Sequence, residues 1–295
     1  MIAAVVLLAG CLLLVATALP RWLSRADWPQ RAPGHALVLW QAVGLAAGLL
    51  TLTLLVTVAL EPLGSDHLDA VGHLGRAGLV TWVAGMVALA VLLRLLTVLL
   101  ASTARTLKAR HDNRVLVDLV ASKHLLLKGA SVVDHEVPLA YCLPGLRPRL
   151  VLSRGTLDLL SNEELQAVVA HEQAHLDQRH DLVVLPFVAL ARTFPGVPAV
   201  TVAQAEVALL VELMADDRAC HAHGRPQLAR ALFKIGAGGT PAGALGLAGE
   251  DVLLRARRLL EPPPPLSALP RLGVVALALA VAASPLLGLV VPYLV

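Results

Sequence analysis

The sequence predicts a mainly α-helical integral membrane protein that carries a polar, largely helical cytoplasmic domain with a small antiparallel sheet. Three observations predict it. Of the 295 residues, 57% are hydrophobic and 15% charged, and the mean hydropathy is +0.73, a balance of membrane proteins and not of ordinary globular domains. Four stretches, residues 2–19, 36–60, 77–100 and 272–295, are long and apolar enough to cross a hydrocarbon core, and Arg94 is the sole charge within them. Arginine and lysine gather at particular ends of those stretches, which sets an orientation.

Residues 1–100 read as three transmembrane helices with short connections. The first contains a lipoprotein-like Leu-Ala-Gly-Cys ending at Cys11, but no Lys or Arg precedes the apolar run, and the run continues past the cysteine to Leu19. It is therefore expected to remain as an uncleaved span. The connection 20–35 carries Arg21, Arg25 and Arg31, whereas 61–76 carries Glu61, Asp66 and Asp69 against Arg76 alone. The first is expected inside and the second outside, with His67 and His73 on the outer side. The flanks of 101–271, with Arg105, Lys108, Arg110 and Arg114 at one end and Arg255, Arg257, Arg258 and Arg271 at the other, place that region inside and the chain termini outside. The net charge of +3 is thus mostly a topology signal. No basic stripe is interleaved with aromatics, so nucleic acid is not expected as a partner. The three cysteines, Cys11, Cys142 and Cys220, share no metal-like spacing and suit a reducing compartment.

Residues 101–260 form the cytoplasmic domain. From 131 to 153 the chain is rich in Val, Leu and Tyr, punctuated by Pro and Gly, and predicts short strands joined by turns. Ser161, with Glu164 three residues on, forms a capping box, and Leu165, Val168 and Val169 follow at helical spacing. That helix is expected to run to about Arg179. Residues 182–211 are apolar but broken by Pro186, Pro195, Gly196 and Pro198; each half makes roughly 20 Å of helix, short of a full span. They predict a helical hairpin that packs on the domain or dips into the bilayer, its second arm continuing to near Gly224. Residues 261–271 form a stiff Pro-rich linker before the fourth transmembrane helix, 272–295.

The chemistry lies in "AVVAHEQAHLDQRHD", residues 167–181. Residues four apart share a helix face, so His171 and His175 can aim a ring nitrogen each at one metal ion, and neutral imidazoles at that spacing suit zinc. Glu172 can reach a water at the open coordination position and take its proton as general base. Two histidines do not complete a site. "VELMADDRAC" offers Glu212 as a third ligand and, one turn later on the same face, Asp216, which would accept a hydrogen bond from the free nitrogen of a ligand histidine. Arg179, His180, Arg218, His221 and His223 are placed by sequence near the site, and His180, Arg218 and His223 are candidates to steady an oxyanion, although each could equally be a solvated helix end. Arg94 lies near the inner end of its span, where it can snorkel.

These residues carry a resemblance. "GLRPRLVLSRGTLDLLSNEELQAVVAHEQAHLDQRHD" followed by "ELMAD" resembles the membrane-bound gluzincin metallopeptidases, in particular the BlaR/MecR-type peptidase domain of penicillin-sensing transducers, with HtpX and the CAAX prenyl endopeptidases as relatives. The resemblance implies a gluzincin-like fold, zinc held by His171, His175 and Glu212, Glu172 as general base, and an extended substrate paired to a sheet edge at "PLAYCLPG". It implies a bacterial plasma (inner) membrane protein whose substrate is a cytoplasmic protein, such as a transcriptional repressor, or the cytoplasmic part of a membrane protein. Ending at Val295 after the fourth span, the chain is expected to lack a penicillin-binding sensor domain. His180, five residues after His175, matches the HtpX-like pattern, whereas "RARRLLEPPPP" before the last span matches the BlaR side, towards which the reading leans. Competing readings are an HtpX-like quality-control protease, a signalling or scaffold protein with a structural metal, and an intramembrane site-2 protease. The last places its motif inside a span, whereas here Asn162, Glu163, Glu164, Asp177 and Arg179 flank it.

Overall fold

A computed structural model describes residues 2–60, 78–120, 122–123, 130–143, 148–239 and 247–290. The connection 61–76, which bears on orientation, and the end of the fourth expected span lie outside the described residues. In chain order the helices are α1 (Ile2–Leu13), α2 (Leu19–Arg25), α3 (Pro33–Leu60), α4 (Leu79–Val120), α5 (Arg154–Leu159), α6 (Asn162–Asp177), α7 (His180–Thr193), α8 (Pro198–His223), α9 (Arg225–Gly239), α10 (Leu247–Leu260), α11 (Ala268–Ala283) and α12 (Leu287–Val290). Between α4 and α5 lie strands β1 (Ser122–Lys123), β2 (Ala130–Val133), β3 (Ala140–Leu143) and β4 (Arg149–Ser153). The chain divides into two compact units.

The first unit comprises residues 1–102, 186–207 and 266–295. Here α3 packs against α1 and α11, burying Leu8, Leu39, Trp40 and Leu50. The outward faces stay apolar: Val6, Leu13, Trp82, Met86 and Leu279 are all more than half exposed. Such a surface is stable in lipid and not in water. Among the described residues five helical segments are long and apolar enough to cross a membrane, 2–25, 33–60, 81–109, 198–223 and 268–286, and the protein is a multi-pass membrane protein. Four of these overlap the stretches read from the sequence. The fifth is α8, which runs unbroken from Pro198 to His223. Arg94 does more than snorkel, because its Nε and Nη2 donate to the Thr193 carbonyl at 3.2 and 3.1 Å. Thr193 ends α7, where helix carbonyls lack an internal partner and attract a cation.

The second unit comprises residues 103–185 and 208–265 and is built on the sheet. Strand order is β1-β2-β4-β3. The pairs β1/β2 and β3/β4 are antiparallel but β2/β4 is parallel, so the expected antiparallel sheet is in fact mixed. The reason is that β4 inserts between β2 and β3; strands that alternate in direction along the chain leave an inserted third strand parallel to the first. Ser153, at the end of β4, fastens this arrangement: its hydroxyl accepts from Leu139 N at 2.9 Å and donates to the Val137 carbonyl at 2.8 Å. Gly155 follows because a Cβ there would lie 1.8 Å from the Glu136 carbonyl oxygen.

Helix α6 lies on this sheet. Leu165 and Val168 join Leu150, Leu152 and Ala231 of α9 in one buried cluster, while Ala167 meets Ala219, Leu228, Ala229 and Leu259 in another. Its start is the capping box read from the sequence: Glu164 N donates to Ser161 Oγ at 3.3 Å, and Ser161 N donates to Glu164 Oε2 at 2.9 Å. Lys234 Nζ donates to the same oxygen at 2.7 Å. Burial works to raise the Glu164 carboxyl, but Lys234 and Ser161 overcome it and hold it below the usual carboxylate range. The helix ends at Asp177, two residues short of the expected Arg179. Arg179 itself sits at φ 50°, which turns the chain sharply and lets α7 begin at His180.

Candidate metal centre

The buried stripe of α6 continues from Leu165 and Val168 into His171 and Ala174, so the motif's helical spacing points its chemistry at the protein interior. Across from it, α8 supplies Glu212 and Asp216, one turn apart. His171 Nε2 and His175 Nε2 lie 3.1 Å apart, Glu212 Oε2 lies 3.4 Å from the former, and Oε1 3.5 Å from the latter. Ligands about 2.0–2.1 Å from one tetrahedral ion are roughly 3.3 Å from each other. Two imidazole nitrogens and a carboxylate converging at that spacing fit a divalent metal, and among the described residues these three form the one such group.

Behind the ligands stand two unlike supports. His171 Nδ1 lies 3.0 Å from Asp216 Oδ1, off the line of a well-aligned hydrogen bond, so the contact is mainly electrostatic. Asp216, fully buried, is gripped by Arg255, whose Nε and Nη2 donate to Oδ2 and Oδ1 at 2.8 Å each. The same guanidinium reaches Glu212 Oε2 through Nη1 at 2.8 Å. His175 Nδ1, in contrast, is 2.9 Å from His180 Nδ1, and His180 Nε2 is 3.0 Å from Gln178 Oε1. The rings respond accordingly. Burial pulls the His171 imidazole down, but Asp216 and Glu212 overcome it and raise it to about 9. Burial pushes His175 down to about 4, only partly opposed by Glu212, which leaves it neutral and ready to ligate at physiological pH.

A cavity of about 390 Å³ opens in front, lined by Tyr141, Cys142, His171, Glu172, His175 and Glu212 among others. Burial pushes the Glu172 carboxyl up, against the charge of His171, which brings a carboxylate closer to the range of a working base. Cys142 Sγ donates to the Glu172 carbonyl at 2.8 Å. Burial, then Glu172, drives this thiol far above its ordinary value, so it is a neutral donor that ties β3 to the motif and not a thiolate.

Of the residues read from the sequence, the structure brings together His171, Glu172, His175, Glu212, Asp216 and His180. His180 lines the cavity, but its nitrogens face His175 and Gln178. Arg218 is exposed and His223 half-buried, and neither lines the cavity. Sequence reasoning missed Arg255, which it took only as a topology charge, and missed Gln178 and Cys142. The one signal for Arg255 is a basic residue at i and i+3, with Arg258, on a helix that must pack near two adjacent aspartates, Asp216 and Asp217.

Apolar spans and a His-His-Glu cluster in one chain define a membrane protein able to hold a metal ion. Residues 107–236 match the family model Peptidase family M48, a match that supports a metallopeptidase domain and takes in α6, α8 and most of α9. No curated protein and no solved structure matches the chain.

Proposed function

We propose that the protein is a membrane-embedded zinc metalloendopeptidase of the gluzincin type, hydrolysing peptide bonds of cytoplasmic or membrane proteins. The observation that carries this is the convergence of His171, His175 and Glu212 in a cavity that also holds the buried carboxyl of Glu172. His171, His175 and Glu212 would hold zinc, whose contribution when bound is to acidify water and polarise a scissile carbonyl as a Lewis acid. The protein's own groups do the rest. Glu172 takes a proton from the attacking water and passes it to the leaving amine. Asp216 and His180 set the imidazole tautomers. Among the described strands β3 has a neighbour on one side alone, and Tyr141 and Cys142 on it line the cavity, so an extended substrate segment can add there as a further strand.

The preferred role is regulatory cleavage of a cytoplasmic protein such as a transcriptional repressor, in the BlaR/MecR manner, in a bacterial plasma membrane with residues 101–271 inside and the α7–α8 hairpin not crossing the bilayer. The arginine asymmetry of the connections supports that orientation. An impermeant thiol reagent should fail to label a cysteine introduced at Asp112 in intact cells, and labelling there would reverse it. A second reading, HtpX-like membrane-protein quality control, is favoured by the contact of His180 with His175, since that histidine belongs to the HtpX-like pattern.

Glu172→Gln tests the enzyme itself. The amide keeps the size of the side chain and leaves the three ligands in place, but cannot take a proton. Zinc content should stay near wild type while cleavage falls by about 10²- to 10⁴-fold, and His171→Ala should lose both. Purified Glu172→Gln protein with stoichiometric zinc and wild-type cleavage would refute the mechanism, and a structural metal would then be the better account.

A further inference from the structure

We propose that Arg255 is a positioning residue that holds Glu212 to ligation through one oxygen and so keeps a coordination position open for water. The proposal rests on the zinc-peptidase reading above and says how the ligand set is kept catalytic and not closed. Glu212 straddles the two imidazoles, with Oε2 on the His171 side at 3.4 Å and Oε1 on the His175 side at 3.5 Å. A carboxylate so placed can offer both oxygens to a metal, which would fill the position that a peptidase must leave to water. Arg255 Nη1, 2.8 Å from Oε2, breaks that symmetry. A charge-assisted hydrogen bond draws electron density from the oxygen that accepts it and occupies one of its lone pairs, so Oε1 becomes the better donor.

The guanidinium is fixed well enough to do this. Its Nε and Nη2 are committed to the two oxygens of Asp216 at 2.8 Å each, and its side chain is only 10% exposed. Because Glu212 and Asp216 stand one turn apart on the same face of α8, one planar fork reaches both. A lysine has the charge but not the planar fork that holds one carboxylate through two N–H groups while a third reaches the other. Nη2 also lies 3.5 Å from His171 Nε2, which puts the cation beside the ligand set and not behind it. Arg255 comes from α10, beyond residue 236 where the family match ends. Its helix has a separate anchor, Arg258, whose Nη1 and Nη2 donate to the Asp217 carboxylate at 2.8 Å each. Helix docking and ligand positioning can therefore be perturbed independently.

The test uses the full-length protein in detergent, loaded with cobalt(II), whose visible absorption reports coordination number. Wild type should show intense four-coordinate bands. Arg255→Gln should shift the positions and shape of these bands as the second oxygen of Glu212 takes the place of water, and kcat should fall about 10- to 100-fold, with KM changed much less. Arg255→Lys should follow Arg255→Gln, and it carries the test alone if the glutamine variant does not fold. Arg258→Gln should keep the wild-type spectrum. A folded Arg255 variant with stoichiometric cobalt and an unchanged spectrum overturns the proposal, as does an Arg258→Gln spectrum altered to the same extent. Wild-type protein that takes up no cobalt would overturn the metal-centre reading beneath it, an outcome distinct from either.

Discussion

The two imidazoles of the metal centre are held from behind by opposite kinds of chemistry. On the His175 side the support is local and neutral. If His175 ligates through Nε2, its proton sits on Nδ1 and is donated to His180 Nδ1; His180 then carries its own proton on Nε2 and donates it to Gln178 Oε1. An amide oxygen three residues from His175 sets the sense of the whole chain. On the His171 side the support is charged and assembled from three helices: His171 on α6, Asp216 on α8 and Arg255 on α10. The comparison teaches what each support costs to break. Removing a neutral partner leaves one unpaired polar group, about 1–3 kcal/mol, whereas removing one member of a buried ion pair leaves a bare charge, about 3–5 kcal/mol.

Asp216 offers the largest expected effect. Asp216→Ala frees His171 Nδ1, strands Arg255 beside Glu212, and removes the anchor that α10 makes next to the ligands. Zinc affinity should fall by about 10- to 100-fold, and the thermal midpoint in detergent should drop as well, because the stranded guanidinium is buried. Glu212→Ala removes the proposed third ligand and should cost more affinity. If Asp216→Ala strips the metal while Glu212→Ala leaves it bound, the two carboxylates must exchange roles. If Asp216→Ala weakens zinc without any loss of thermal stability, the charged side is no more demanding than the neutral one, and the contrast fails.

The same division explains which parts of the centre are legible in the amino-acid sequence. His171, Glu172 and His175 are legible because a spacing of four on a helix is itself geometry. Glu212 and Asp216 are legible because they repeat that spacing on a second helix. The capping box at Ser161 and Glu164 is legible because its two hydrogen bonds are local. Arg255 is not, because its partners lie 39 and 43 residues away and only tertiary docking of α10 brings them together; in sequence its charge reads as a membrane-edge signal. The mixed sheet is hidden for a related reason, since strand composition does not say that β4 enters between β2 and β3. The hold of Arg94 on Thr193 likewise joins residues that no periodicity connects. His180 is the intermediate case. It is near in sequence, but five residues from His175 is off the helix face, and only the end of α6 at Asp177 with the turn at Arg179 swings it back.

The neutral side gives the smaller effect and the sharper discrimination. His180→Leu removes the acceptor for His175 Nδ1–H while leaving no charge unpaired, so zinc affinity should fall by about 10-fold, at the low end of the range for such partners, with little change in thermal midpoint. His180→Asn places a carbonyl oxygen near the position of the original Nδ1 and can accept the same proton, so it should restore most of the affinity. That rescue is what separates a tautomer-setting role from simple packing, because leucine fills the space better than asparagine does. If leucine retained wild-type affinity, the chain through Gln178 would be incidental, and His175 would be held in its tautomer by the metal alone. If both variants lost stability as severely as Asp216→Ala, His180 would carry structural weight that its neutral contacts do not account for. The expected pattern, affinity lost with leucine and regained with asparagine while the fold is untouched, is one that a charged support cannot produce, since no neutral substitute for Asp216 can satisfy Arg255.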